Sequence, residues 1–344
     1  MELYFEDYEG DYRDLNKCDI LKISRIDLCR HTMQVGYKNK SLFLSGSLYK
    51  HLELFFMIMA NVENYAGNLL LKDEYYSLDQ SEKVCISYQI GQGLTKAIAE
   101  KYLKVPWVAH IKTMKNMRYH FKHGGVIKKI INKNEQSGTE PDLIGFDLKC
   151  RAHLFESKGS FLESMSSKTI QKAINQVSNY DYFIDPYGNM QSFTTRNACL
   201  FNFTPQFHGT IIDPPGKNEN EKVSSGLLHC LYNQYYLFLH NEMDQLKTIK
   251  IFDKNWTGYK FSFGDESYFW GINTIFREFL QEQFSNDNFN SLDYFLVQNE
   301  EENILKVQKI SSFFTEHCFY DMNNNDEYVS VGEDGYILCD LNKI

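Results

Sequence analysis

The chain has 344 residues, 43% hydrophobic and 24% charged, with 6 prolines and 20 glycines, which is the composition of a folded globular protein and excludes disorder over most of its length. At ~150 residues per domain this is length for two domains or one elaborated domain, and it excludes a small fold held together by disulfides or metal alone. The formal net charge of −9 argues against a surface that is cationic throughout.

Taken in chain order, the first 14 residues, MELYFEDYEGDYRD, carry six acids against one Arg and no apolar stretch, unlike a secretory signal or an Arg-rich transit peptide. Tyr4, Tyr8 and Tyr12 at i, i+4 spacing predict a short helix with an aromatic stripe. Residues 47–60 predict an apolar helix, whose purely apolar run from Leu54 to Ala60 is far short of the ~20 residues that cross a bilayer. The expectation is a cytoplasmic protein without a membrane partner. The polar residues 72–83 read as a connection. Beyond them, Leu94, Ala97, Ile98 and Tyr102 predict a helix over 93–104, followed by a strand over 106–111. Residues 132–140, 186–189 and 213–220 are loops by composition. Helices are expected at 226–242 and 266–284, strands at 248–253 and 259–263. This divides the chain into an N-terminal helical accessory segment (1–83), a core (84–215) and an acidic C-terminal α+β segment (216–344). Eight cysteines without a C-x-x-C spacing predict reduced, mostly buried thiols rather than a zinc ribbon or a disulfide framework.

Charge is segregated along the chain. Residues 96–133 hold ten Lys/Arg against one acid, whereas residues 281–344 hold thirteen acids against three bases. The basic stretch offers phosphate contacts in Lys112, Lys115, Arg118, Lys122, Lys128 and Lys129, against the plainer reading of solvated helix faces. His120 and His123 lack further ligands at metal spacing and read as surface or phosphate-contacting groups. Neither a phosphate-binding G-x-x-x-x-G-K-S/T loop nor a G-x-S-x-G nucleophile elbow is present.

The chemistry concentrates in Pro141-Asp142-Leu-Ile-Gly-Phe-Asp147 and Ala152-His-Leu-Phe-Glu156-Ser157-Lys158-Gly159. Side chains alternate along a strand, so Glu156 and Lys158 share a face and Ser157 takes the other. If 142–147 and 151–156 pair as an antiparallel hairpin about Lys149, Asp142 stands directly opposite Glu156. Opposed carboxylates repel unless a cation sits between them. Oxygen ligands select hard Mg²⁺ or Mn²⁺, with the Ser157 backbone carbonyl as a third ligand and Gly159 allowing close approach of a ligand. A helix follows, capped by Ser167, with Ile170, Ala173, Ile174, Val177 and Tyr180 buried. Lys168, Lys172, Asn175 and Asn179 lie opposite, and Gln176 at the border. Residues 198–203 then form a strand.

Strand, E-x-K strand, helix with Lys172-x-x-x-Gln176 and strand together resemble the PD-(D/E)xK nuclease superfamily, over residues 135–205. The resemblance implies an α/β restriction-endonuclease-like core, a central mixed sheet flanked by helices, with additional N- and C-terminal α+β segments. It implies that Asp142 and Glu156 bind Mg²⁺ or Mn²⁺, that Lys158 positions or activates the attacking water, and that Gln176 assists. Lys172 joins the phosphate contacts. The implied activity is metal-dependent hydrolysis of nucleic acid, most simply DNA, in a restriction or anti-phage setting. Asp147-Leu-Lys149 also spells D-x-K, but no hairpin fits in the four residues after Asp142. Many members place an acid on a helix before the first strand, and Glu100 is the residue available for it. The alternatives are a non-catalytic nucleic-acid- or partner-binding subunit that keeps the fold, with Glu156 and Lys158 as a surface pair, and a structural subunit whose acidic C-terminal segment docks a basic partner. The choice of DNA over RNA, endo- or exonuclease action, sequence specificity, activating trigger, and association with a protein partner or a second copy stay open at this level.

Overall fold

A computed structural model describes residues 1–38, 47–116, 129–132, 140–184, 190–216, 226–240, 245–285, 300–317 and 327–344. The chain is mixed α/β. Its strands are β1 (Glu2–Glu6), β2 (Cys18–Ile20), β3 (Val62–Tyr65), β4 (Asn68–Leu71), β5 (Trp107–His110), β6 (Lys129–Asn132), β7 (Leu143–Phe146), β8 (Ala152–Ser160), β9 (Tyr180–Ile184), β10 (Met190–Asn202), β11 (His208–Ile212), β12 (Lys247–Ile251), β13 (Lys254–Phe263), β14 (Glu266–Asn273), β15 (Val329–Val331) and β16 (Tyr336–Asp340). Its helices are α1 (Arg25–Val35), α2 (Leu48–Asn61), α3 (Asp73–Tyr76), α4 (Gln80–Leu103), α5 (Ile111–Asn116), α6 (Ser167–Ser178), α7 (Gly226–His240), α8 (Thr274–Ser285) and α9 (Glu300–Glu316).

A 9-stranded mixed sheet runs β2-β1-β11-β10-β8-β7-β5, with β9 also on β10 and β6 on β9. The pairs β1/β11 and β8/β10 are parallel, while β7/β8 and β5/β7 are antiparallel. Helices flank this sheet, α4 against β8 and α6 against β8 and β10. The C-terminal half adds a 5-stranded antiparallel sheet, β12-β13-β14-β16-β15, which packs on α1 through β15 and β16.

The N-terminus departs from its predicted helix. Leu3 and Phe5 are buried between exposed Glu2, Tyr4 and Glu6, a period of two, so residues 2–6 form a strand and Tyr4 faces solvent. The N-terminal segment is therefore not only helical: β1 and β2 extend the central sheet, and α4 runs through residue 83 into the core. The helix expected at 266–284 is half strand. Tyr268, Phe269 and Trp270 are all buried because β14 lies between β13 and β16 with both faces covered, a setting that suits aromatic residues. The elements at 47–60, 106–111 and 226–242 appear at Leu48–Asn61, Trp107–His110 and Gly226–His240. Residues 133–139, 186–189 and 217–220 of the expected loops lie outside the described residues, as do His120 and His123. The described cysteines are free, with Cys18 and Cys85 exposed and the others buried. No helix among the described residues is long and apolar enough to cross a membrane.

Helix α4 organises the interior. It crosses β8 closely because two glycines meet there. A Cβ on Gly91 would lie 3.0 Å from Ser157 Oγ, and one on Gly159 only 2.1 Å from the Ser87 carbonyl oxygen. What approaches Gly159 is thus a helix backbone and not the ligand expected there. Farther along α4, Lys96 and Glu100 enter a buried ion cluster. Lys96 Nζ donates to Glu100 at 2.6 Å and to Asp334 at 2.9 Å, and Arg30 pairs with the same two acids at 3.2 and 3.4 Å. Arg30 also donates to Ser330 Oγ at 2.7 Å, and the Glu333 amide to Glu100 at 2.9 Å. Burial alone would raise the Glu100 pKa, but Arg30 and Lys96 hold it below the usual carboxylate range. This cluster ties α1, α4 and the loop between β15 and β16 into one interior.

Candidate functional site

The hairpin has the symmetry expected from the sequence. Leu143 pairs with Phe155, Ile144 with Leu154, Gly145 with His153 and Phe146 with Ala152, so one further step sets Asp142 against Glu156. The turn is held by Asp147. Its Oδ1 accepts from the Lys149 and Arg151 amides at 2.9 and 2.8 Å, and its Oδ2 from Arg151 Nε at 2.7 Å. Asp147 is therefore spent on the turn, which removes Asp147-Leu-Lys149 as a rival motif. Beyond Phe155, β8 continues along β10 through Ser160, carrying Glu156 and Lys158 past the last residue paired with β7.

Both carboxylates are buried, Glu156 completely, and each carries one ammonium group. Lys38 Nζ donates to Asp142 Oδ1 at 2.7 Å, and Lys158 Nζ donates to Glu156 Oε1. The two lysine side chains are 28% and 27% exposed, so they form the solvent side of an otherwise buried group. Glu156 Oε2 is buried with no hydrogen-bond partner. Burial and the charge of Asp142 push the Glu156 pKa up to about 7, with Lys158 and Lys38 pulling the other way. The two acids therefore interact, and the lysines compensate them only in part.

Three residues that sequence reasoning missed complete the surroundings. Tyr88 and Gln92 of α4 face Asp142, the Tyr88 hydroxyl 3.5 Å from Oδ1 and Gln92 Nε2 3.4 Å from Oδ2. Burial, together with Asp142 and Glu156, raises the Tyr88 pKa, so the phenol stays protonated as a donor. Lys38 follows α1, where Gly36 turns the chain at φ +67° and His110 Nε2 lies 3.2 Å from the Gly36 carbonyl oxygen. Burial lowers the His110 pKa to about 4, so the ring is neutral. The one signal for Tyr88 and Gln92 is a line at four-residue spacing, Tyr88, Gln92, Lys96 and Glu100, along a helix whose remaining residues from 90 to 99 are mostly apolar or small. Nothing local marks Lys38.

The other expected site residues stand as follows. Gln176 lies on the buried side of α6, and its Nε2 is 3.4 Å from the Glu140 carbonyl oxygen; it touches the backbone leading into Asp142 rather than a carboxylate, and its Oε1 is unpartnered. The cap of α6 is Ser166, which accepts from the Thr169 amide, one residue before the expected Ser167. The Ser157 side chain turns toward Gly91 of α4, on the face away from Glu156, leaving its carbonyl as the only ligand it offers. Glu100 belongs to the ion cluster, bonded to Arg30 and Lys96; the helix meets Asp142 through Tyr88 and Gln92 instead. Of the basic residues, Lys112 and Lys172 are exposed, the side chains of Lys115 and Lys129 are not described, and Arg118, Lys122 and Lys128 lie outside the described residues. Lys96, counted in the basic stretch, is fully buried in the ion cluster and faces no solvent.

Among the described residues no group of three or more His, Cys, Asp and Glu gathers as for a metal ion. The oxygens that could hold a hard cation are those of Asp142 and Glu156 and the Ser157 carbonyl. The unpartnered Glu156 Oε2 is the atom that fits such an ion. Set beside protein-family models, curated proteins and solved structures, the chain matches none of them.

Proposed function

We propose that this chain is a metal-dependent nuclease that hydrolyses phosphodiester bonds in nucleic acid, most simply DNA, on a restriction-endonuclease-like core. One observation carries the reading: Asp142 and Glu156 are brought together in a buried site, with Lys158 on Glu156 and one Glu156 oxygen left without a partner. Burying a carboxylate in this state is unfavourable, and sites that tolerate it are enriched in function. Asp142, Glu156 and the Ser157 carbonyl would hold Mg²⁺ or Mn²⁺. Such an ion, when bound, supplies Lewis acidity and lowers the pKa of an attached water.

The chain's own residues account for the rest. Lys158, at the solvent side of Glu156, is placed to meet the negative charge that develops on a phosphate. Gln176 props the backbone entering Asp142, and Tyr88 and Gln92 orient its carboxylate from the other side. Lys112 and Lys172 offer exposed ammonium groups to flanking phosphates. A restriction or anti-phage role is an analogy with the resembled superfamily.

The test is cleavage of supercoiled plasmid, linear duplex and single strands by the full chain with Mg²⁺, Mn²⁺ or EDTA. Cutting that needs the metal and falls by about 10²–10³-fold or more in Asp142→Ala and in Lys158→Ala is the expected result. Failure of the wild type to cut any substrate with either metal overturns it. That the site gathers two carboxylates and, among the described residues, no third metal-ligating His, Cys, Asp or Glu favours a second reading, a non-catalytic binding subunit with this fold. It predicts nucleic-acid binding that needs no metal and survives Lys158→Ala.

A further inference from the structure

We infer that Lys38 is a working part of this site: a resident counter-ion of Asp142 that a divalent cation displaces and a nucleic-acid phosphate then receives, so that cation and nucleic acid bind cooperatively. The inference rests on the nuclease reading above and adds to it the regulation of metal loading.

The placement of Lys38 comes from the same sheet that places Asp142. His110, at the end of β5, pairs with Leu143, the residue after Asp142, and the Ile111 amide donates to the Asp142 carbonyl oxygen at 3.0 Å. The same His110 ring holds the carbonyl of Gly36, two residues before Lys38. The ammonium and the carboxylate are thus referred to one strand end, although 104 residues of chain separate them. This is a built contact rather than a chance surface pair.

Charge then dictates the consequence. With Lys38 and Lys158 in place, two ammonium groups balance two carboxylates, and a divalent cation entering beside them meets like charge. The Nζ of Lys38 is bonded to the very carboxylate that would ligate the ion. Its side chain is 28% exposed while that of Asp142 is 8% exposed, so Lys38 leaves toward solvent, on the side where a polyanion arrives. A phosphate oxygen accepts the released ammonium in a charge-assisted hydrogen bond. Each ligand therefore removes an obstacle to the other, and linkage makes the gain equal in both directions.

The experiment measures binding rather than turnover. Mn²⁺ is titrated calorimetrically into the full chain with and without a duplex oligonucleotide, for wild type, Lys38→Met, Lys38→Arg and Asp142→Asn, with unfolding midpoints recorded for each variant. Lys38→Met should bind Mn²⁺ alone about tenfold more tightly than wild type and lose most of the tightening that the duplex confers, within the usual range of coupling. Lys38→Arg should retain the coupling. If Mn²⁺ binding depends on Asp142 but Lys38→Met changes neither affinity nor coupling, the role of Lys38 is overturned and the nuclease reading stands. If no chain binds Mn²⁺, with or without duplex, both fall together. Lys38→Gln, of similar polarity, provides the same comparison should Lys38→Met fail to fold.

Discussion

Two clusters of two acids and two cations lie along one face of α4, and they are finished in different ways. Tyr88 and Gln92 look toward Asp142 and Glu156 with their lysines, whereas Lys96 and Glu100, one and two turns on, join Arg30 and Asp334. In the second cluster every charge meets at least two partners and both acids bond to backbone amides as well, so its charges are satisfied within the protein. In the first, each lysine holds one carboxylate from the solvent side, and Glu156 Oε2 has nothing. The same residue types serve as an internal tie in one place and an unfinished site in the other. Saturation of hydrogen bonds, rather than residue identity, separates the two.

That contrast breaks if the two clusters respond alike to loss of a lysine. Lys96→Met leaves Glu100 and Asp334 buried with a single cation and should destabilise the fold by about 3–5 kcal/mol in urea unfolding. Lys158→Met removes a partly exposed ammonium from a buried acid that can take up a proton in its place, and should cost less, about 1 kcal/mol. Equal losses would erase the distinction. A smaller effect tests the scaffold between the clusters. Gly159→Ala drives a methyl into the Ser87 carbonyl and should cost about 1–3 kcal/mol by pushing α4 off β8, with Tyr88 and Gln92 displaced from Asp142.

A further effect has the opposite sign. Because the Glu156 pKa is raised from its ordinary 4.5 to about 7, the folded protein binds more protons than the unfolded chain between these values. Its contribution to stability is full below pH 4.5 and is lost as the pH rises through 7. Glu156→Gln should therefore stabilise the metal-free protein by about 1–2 kcal/mol near pH 8, and the gain should shrink toward pH 4.5. Thermal unfolding at the two ends of this range reads it directly. A variant that is less stable than wild type at pH 8 would show Glu156 to be as well compensated as Glu100.

Local physics made part of this molecule legible. Turn symmetry and apolar alternation set the register that opposes Asp142 and Glu156, because pairing in a hairpin is fixed by its own turn, here tied by Asp147. The apolar pattern of residues 167–178 likewise marked α6. Ambiguity arose where period alone decided. Tyr4, Tyr8 and Tyr12 fit a helix, but Leu3 and Phe5 are the residues with a core to fill, beside β11. Residues 266–273 read as helix until β13 and β16 enclose them.

The chain by itself thus determined the acid pair, the lysine beside Glu156 and the hairpin that joins them, since all lie within 17 residues of one another, Asp142 to Lys158, and interact through one turn. Tertiary structure decided which distant side chains surround that pair: Lys38 from the end of α1, Tyr88 and Gln92 from α4, and the assignment of Lys96 and Glu100 to a closed cluster instead. The residues of α4 depend on how it crosses β8 at Gly91 and Gly159, and Lys38 on the contact of His110 with Gly36; both join segments far apart in sequence, and no local spacing encodes them.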